Sequence, residues 1–537
     1  MNQGGNGSLR IRRRCPSCGA PIEHSETDGA VACPFCAVHL AVVRDAGVGG
    51  DSVPRFAIPA RIDEEGWALE AKRLLRSEGR RVRQLYSPRL LYAPFLRLSC
   101  SVYAHWQEAH QAPPPDARLD RRTRRSGIAL DLTVRALSAV GGGGDLALES
   151  FGSFDPGARP ARPPEFQFRV GRWEQTLTAS PTLPLPDRTL GVRTQALAVV
   201  PLDELIDPDG DVGALPGRLR HQRSPQEMAP DLERQLRQAH TPEDDRRSEY
   251  VWEAPGRILQ WIYYPYALLR FDGQGGAGEV LLDGVSGKAR SLLPDDAIPD
   301  GALEVAPGSP EGWRFSDPGA AFVRLICPTC SMPLPMRVAS RIYACSNCRS
   351  HWRVAGGRLE RVAALWLCPG DDRESGSDVG PDVTAIPFYR LRGGAARAPI
   401  YVPAAESRHP RALWNLATGL TRVNADWREL EPRFGLDTAV AVDREEAAAL
   451  GPFAASCVVE TNMQEVRQQR LARARGTAAA AAAADLATTR GERQPEAELV
   501  WLRLRRRGAD WVEPWLGLAV PARALVPWNE PTPPPGT

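Results

Sequence analysis

The sequence predicts a multidomain α+β protein in which two small β modules are attached to mixed, strand-rich core domains, with an internal duplication. Three observations predict it. Eight of the eleven cysteines fall into two sets of identical internal spacing, offset from one another by 312 positions. A chain of 537 residues is long enough for three or four domains, each with its own core. Its 48 glycines and 49 prolines favour short strands and many turns over long helices.

The first set is Cys15, Cys18, Cys33 and Cys36, and the second is Cys327, Cys330, Cys345 and Cys348. Each reads C-x2-C, fourteen residues, C-x2-C, with a histidine three positions after the last cysteine, His39 or His351. Two thiolates two residues apart fit one tight turn, and two such turns face to face supply four sulfurs at tetrahedral angles. Zn²⁺ prefers that arrangement, and four thiolates close the site against solvent and substrate. Two structural Zn²⁺ ions are therefore expected. The histidines are expected either to lie on the hairpin surface or to donate a hydrogen bond to a metal-bound sulfur, since four cysteines already fill each site.

Both sets resemble the zinc-ribbon superfamily, the rubredoxin-like fold in which two cysteine knuckles on β-hairpins clamp a metal. Cys15-Pro16-Ser17-Cys18-Gly19 is a full C-P-x-C-G knuckle. Cys33-Pro34-Phe35-Cys36 and Cys327-Pro328-Thr329-Cys330 keep the proline but are followed by Ala37 and Ser331, and Cys345-Ser346-Asn347-Cys348 has neither proline nor glycine. The resemblance implies a metal and a fold. Its members include transcription factors, RNA polymerase subunits, ribosomal proteins and bacterial adaptors, so it constrains function only weakly. Most of the chain lies outside it.

Charge is nearly balanced, 67 basic against 65 acidic residues, and this excludes a whole-protein field directed at nucleic acid or anionic lipid. Only Lys72 and Lys288 are lysines, a bias that GC-rich bacterial coding explains. The remaining cysteines, Cys100, Cys368 and Cys457, are unrelated singletons. Such usage suits a reducing cytoplasm rather than a disulfide framework. No apolar run approaches the length of a membrane span, although peripheral membrane attachment stays open.

Along the chain, residues 1–12 read as a disordered tail, 13–46 as the first ribbon and 53–300 as an α+β core domain with an insertion near 207–248. The second ribbon spans 320–362, a linker 370–380, a second α+β region 382–528 and a loose tail 529–537. Glycine-rich residues 47–50 and the acidic linker 370–380 would let each ribbon reorient on its core. Asp63 is placed to cap a helix whose apolar face is Trp67, Ala71, Leu74 and Leu75. Helices are also expected around 232–239 and at Leu413, Leu416, Ala417 and Leu420. Segments 90–102, 258–271, 279–283 and 499–507 read as strands. Ala57-Ile58-Pro59-Ala60 and Ala385-Ile386-Pro387-Phe388 follow the two ribbons as echoes of one another, consistent with tandem repetition.

Two glycine patterns imitate nucleotide-binding motifs. Gly284-Val285-Ser286-Gly287-Lys288 has Leu282 and Ala289 where a phosphate-binding loop needs Gly and Ser or Thr. Gly273, Gly275 and Gly278 spell G-x-G-x-x-G, but a strand follows where the dinucleotide fold needs a helix. Both read as hairpin turns. Cys100, His105 and His110 do not have the spacing of a helical metal-protease pair, and no catalytic constellation is recognisable. The arginine clusters at 10–14, 121–125 and 503–507 read as solvated faces. The expected role is a non-catalytic scaffold or adaptor presenting two ribbons to a protein partner. The alternatives are a nucleic-acid-binding or transcription-related protein and, third, an enzyme. A deep polar pocket holding Cys100 or His105 would favour the enzyme, and an exposed apolar patch beside a ribbon would favour the adaptor.

Overall fold

In a computed structural model of the chain, the described residues are 9–43, 53–61, 63–108, 165–185, 190, 198–201, 217–241, 247–274, 276–295, 297–298, 302, 322–369, 383–392, 399–423, 427–430, 439–458, 496–512 and 519–525. The linkers at 47–50 and 370–380, the arginine cluster at 121–125, His110 and the tail 529–537 lie outside them. The chain is strand-rich, with four mixed or antiparallel sheets and few helices among the described residues. No helix there is long and apolar enough to cross a membrane.

One compact unit holds Met1–Ala104, Arg169–Thr241 and Val251–Thr537; a second comprises His105–Phe168 and Pro242–Tyr250. In the second, the rings of Trp106 and Tyr250 lie 5.8 Å apart.

The larger sheet is built on Arg89–Glu108 and Ile258–Gln274, which pair antiparallel from Ile258↔Ser99 to Pro265↔Tyr92. The run 258–271 is almost continuously apolar because both faces of the strand are covered. On one face, Trp67, Ala71 and Leu75 of the helix Glu64–Ser77 pack on Ala267, Leu269 and Val280. Asp63 caps that helix by accepting the Gly66 N–H, as its position before two glutamates predicts. The helix Pro225–His240, opened by a Ser224/Glu227 capping box, lays Met228 and Leu232 on Tyr92, Leu96 and Trp261. The stretch that reads as an insertion thus contributes a core helix.

The opposite face carries Leu91, Ala93, Phe95, Tyr264 and Tyr266, and Leu9 and Ile11 reach it. Arg10–Arg14 forms a strand antiparallel to Pro21–Ser25 and parallel to Ala198–Pro201, so ribbon 1 extends the large sheet. This corrects the disordered reading for residues 9–12. Alternation along the strand turns Ile11 inward, and the apolar contact fixes the segment.

The hairpin readings agree with the structure. Ile258–Gln274 and Gly276–Asp283 meet at Gly273↔Gly276, and Gly276–Asp283 returns as Ala289–Pro294. Asp283 accepts the N–H groups of Val285 and Ser286, which shapes the turn before Lys288.

The second sheet places Glu496–Arg507 between Val383–Arg392, antiparallel, and Ala364–Pro369, parallel. Leu413, Leu416, Ala417 and Leu420 of the helix Pro410–Val423 cover Ile386, Phe388 and Val500. Val383–Arg392 pairs antiparallel on both sides, whereas Arg55–Ala57 joins its sheet through one parallel and one antiparallel neighbour. The two echoed segments therefore occupy different sheet contexts.

The ribbons touch one another. Phe322–Arg324, at the start of ribbon 2, pairs antiparallel with His39–Val42 at the end of ribbon 1, in the register Phe322↔Val42 to Arg324↔Leu40. That edge pairing replaces the expectation of two ribbons that reorient separately. Unpaired strand edges are strong hydrogen-bonding templates, and here each ribbon satisfies the other's.

Candidate metal centres

Each cysteine pair sits in a tight turn with the same hydrogen bonds. Cys15 N–H donates to the Ala20 carbonyl and Gly19 N–H to Cys15; Cys33 N–H donates to Val38 and Ala37 N–H to Cys33. In ribbon 2, Cys327 pairs with Met332, Ser331 with Cys327, Cys345 with Ser350 and Arg349 with Cys345. The residue after the second cysteine of every turn is left-handed: Gly19, Ala37, Ser331 and Arg349 have φ of 75°, 57°, 60° and 60°. All four knuckles therefore keep one geometry although only the first has glycine. The three non-glycine residues each accept roughly 1–2 kcal/mol of backbone strain.

The turns bring the sulfurs together. Sγ atoms of Cys15 and Cys36 are 3.8 Å apart, and those of Cys18 and Cys33 3.6 Å. In ribbon 2, Cys327–Cys348 is 3.5 Å and Cys330–Cys345 3.4 Å. Within each set the four sulfurs lie within 4.8 Å of one another. Four thiolates around Zn²⁺, each about 2.3 Å from the ion, have tetrahedral edges of about 3.8 Å. The donor set fits, and every separation is far longer than a disulfide bond. Each set could hold one metal ion.

Backbone donors favour the thiolate at Cys15 and Cys327, whereas Cys18 and Cys345 are pushed up to about 12. Burial opposes ionisation of Cys15, but the N–H groups of Ser17 and Cys18 outweigh it and hold the thiol down at about 6. At Cys327 burial is again overcome, by the Ser350 hydroxyl and the N–H groups of Cys330 and Thr329, to about 6. Neither histidine belongs to a sulfur cluster. His39 is half-buried on its strand. His351 is buried, and that burial, aided by Arg361, holds it at about 4, so it is neutral at pH 7.

The structure adds residues that the spacing did not reveal. Ser350 Oγ is 2.9 Å from Cys348 Sγ and accepts a hydrogen bond from Trp352 Nε1 at 2.7 Å. A hydroxyl has one proton, and with the indole donating to it, that proton is directed toward sulfur. Ribbon 1 has Val38 and Leu40 at the positions 312 residues earlier, so its site has no such donor. Aligning the two sets would have exposed that difference.

Ribbon 1 has a different support. Arg97, fully buried, donates to both Glu26 oxygens at 2.6 Å, to Gln260 at 3.0 Å and to Glu174. Arg172 also pairs with Glu26, at 2.5 Å. Burial disfavours the Glu26 carboxylate, but the attraction and hydrogen bonds of Arg97, with Arg172 beyond, hold it at about 2. Nothing in the local sequence marks this network, whose central partners are 71 residues apart.

The other candidates remain apart. Cys100 lies among Val102, Leu236 and Ala254, and burial pushes its thiol up to about 11, an inert state. His105 belongs to the second unit and is buried. A cavity of about 370 Å³ is bordered by Thr27, Asp28, Tyr103, Arg341, Glu406 and Trp414, and neither Cys100 nor His105 lines it. In the basic cluster on Arg10–Arg14, the Glu23 carboxylate offsets one charge, pairing with Arg12 at 2.5 Å and Arg10 at 3.8 Å, and Arg13 lies over the Phe56 ring.

Phe35, between Cys33 and Cys36, is 68% exposed; Ile326 and Met332, flanking Cys327 and Cys330, are 45% and 46% exposed. Comparison with family models, curated proteins and solved structures finds no match to this chain.

Proposed function

We propose that the chain is a non-catalytic, cytoplasmic scaffold or adaptor, a duplicated zinc-ribbon protein whose two structural Zn²⁺ sites hold rigid recognition loops for a protein partner. The observation that carries the reading is Phe35, an aromatic ring left exposed at the tip of a metal knuckle. Large exposed apolar side chains are normal singly, but an aromatic on a rigid loop is the residue type that anchors interfaces. A four-thiolate site has no open coordination position, so its metal cannot activate water; it holds the turns still. Rigid loops bind with little ordering cost. The pairing of Arg10 and Arg12 with Glu23 weighs against a phosphate-gripping face.

The test is quantitative recovery of partners from native lysate, with nuclease treatment in one arm. Phe35→Ser combined with Met332→Ser should leave the circular dichroism spectrum unchanged and reduce recovery of a nuclease-resistant protein partner at least several-fold. Undiminished recovery, or recovery abolished by nuclease, contradicts the adaptor reading.

A further inference from the structure

We propose that the two four-cysteine sites form one cooperative metal-binding unit, in which metal at either site raises affinity at the other. The proposal rests on the reading of both sets as metal centres.

A ribbon is too small to bury an adequate core alone, so the free energy of metal binding is largely its folding free energy. Whatever two ribbons share in folding they must share in binding. Here the sharing is extensive. Phe322, from the strand that opens ribbon 2, is buried among Cys15, Ile22, Cys33 and Leu40 of ribbon 1 and meets the His24 ring edge-on at 5.5 Å. In return, Ala30 and Ala41 of ribbon 1 are buried in the cluster that contains Cys327, Cys345, Tyr343 and Trp352. Each site's apolar surround is completed by the other ribbon.

Polar contacts fix the join. Gly29 and Ala30 donate their N–H groups to the Val338 carbonyl at 2.5 and 3.2 Å, and the Tyr343 hydroxyl donates to the Gly29 carbonyl at 2.6 Å. Leu325 N–H donates to the His39 carbonyl at 3.0 Å, within three residues of Cys36 on one side and two of Cys327 on the other. At Gly29 the backbones approach so closely that a Cβ would run into the Ser340 carbonyl. Only glycine permits that contact. A thiolate set that scattered without its metal would release the strands that supply these groups, and the neighbouring set would lose its surround. By linkage the coupling is equal in both directions.

The experiment uses the full chain under reductant, with Zn²⁺ titrated against a chromophoric chelator and Co²⁺ absorption reporting thiolate coordination. Wild-type protein should bind two ions in a single transition. Cys345→Ser/Cys348→Ser should leave one ion at ribbon 1 with affinity lowered about tenfold or more, and Cys33→Ser/Cys36→Ser should lower ribbon 2 by the same factor. Gly29→Ala keeps all eight thiols and should still bind two ions, but in two separate transitions. Tyr343→Phe, a milder change at the same join, should separate them partially even if a cysteine variant fails to fold. Wild-type affinity at the surviving site in both cysteine variants, or a single wild-type transition in Gly29→Ala, overturns the coupling. Wild-type protein that binds no metal overturns both this proposal and the reading beneath it, whereas two ions bound independently overturn the coupling alone.

Discussion

The two ribbons share ligand spacing, knuckle hydrogen bonds and left-handed residues, yet they are supported by opposite means. Ribbon 1 is built into the large sheet through Arg10–Arg14 and clamped to it by the buried Glu26–Arg97 pair, but it has Val38 and Leu40 where ribbon 2 has Ser350 and Trp352, and Cys18 and Cys36 are exposed. Ribbon 2 has its own three-stranded sheet, Ile342–Ala344, His351–Ala355 and Arg358–Val362, and a Trp352–Ser350 donor beside its sulfurs, with Cys330 and Cys348 less exposed. One spacing therefore tolerates two designs. Beyond the seam they share, ribbon 1 has added support from the protein core, and ribbon 2 from groups at its own site.

The largest expected effect breaks the first design. Glu26→Gln leaves the buried Arg97 and the half-buried Arg172 with too little negative charge, and removal of one partner from a buried pair costs about 3–5 kcal/mol. Denaturant unfolding should show that loss. Because the folded-state carboxyl titrates at about 2, below its ordinary value of 4.5, the clamp's contribution is present above about pH 4.5 and disappears as pH falls toward 2. Acid unfolding of wild type should therefore steepen in that window, and Glu26→Gln should flatten it. An unchanged acid profile would mean the clamp does not hold ribbon 1.

Next comes the second design. Ser350→Ala should weaken metal retention at ribbon 2 about 10-fold or more, the usual range for groups that hydrogen-bond a metal ligand. Val38→Ser should change ribbon 1 little, since Leu40 offers no indole to orient the new hydroxyl. Chelator competition on the two variants compares them directly. Equal retention in Ser350→Ala and wild type would remove the asymmetry.

The smallest effect concerns what the ribbons have in common. Ser331→Gly and Arg349→Gly should each stabilise ribbon 2 by about 1 kcal/mol through relief of left-handed strain, and Gly19→Ala should destabilise ribbon 1 by about as much. Thermal unfolding reads the shift. A loss of stability in both glycine variants would show that the knuckle strain is not real.

Local chemistry was legible in the sequence. The cysteine spacing located both sulfur sets, Asp63 marked a helix start, and the misplaced Leu282 and Ala289 exposed a hairpin behind a phosphate-loop pattern. These depend on neighbours within a few residues. What escaped depends on contacts between distant segments. Phe322–Arg324 finds its partner strand some 280 residues earlier, and no turn chemistry announces such a pairing. Arg97 sits in an apolar run and looks like a break in a strand until Glu26 meets it. The Arg-rich segment at 10–14 resembles a solvated tail because its two inward positions are outnumbered. Left-handed Ala37, Ser331 and Arg349 were illegible for a different reason, since local preference argues against them and the sulfur geometry overrides it.

The central claim is that two closed four-thiolate sites organise this chain. Elemental analysis of protein purified without chelators, combined with X-ray absorption at the metal edge, tests it most directly. Two zinc ions per chain, each with four sulfurs at about 2.3 Å, are the predicted result. One ion or none, or a nitrogen from His39 or His351 in the coordination shell, would contradict it.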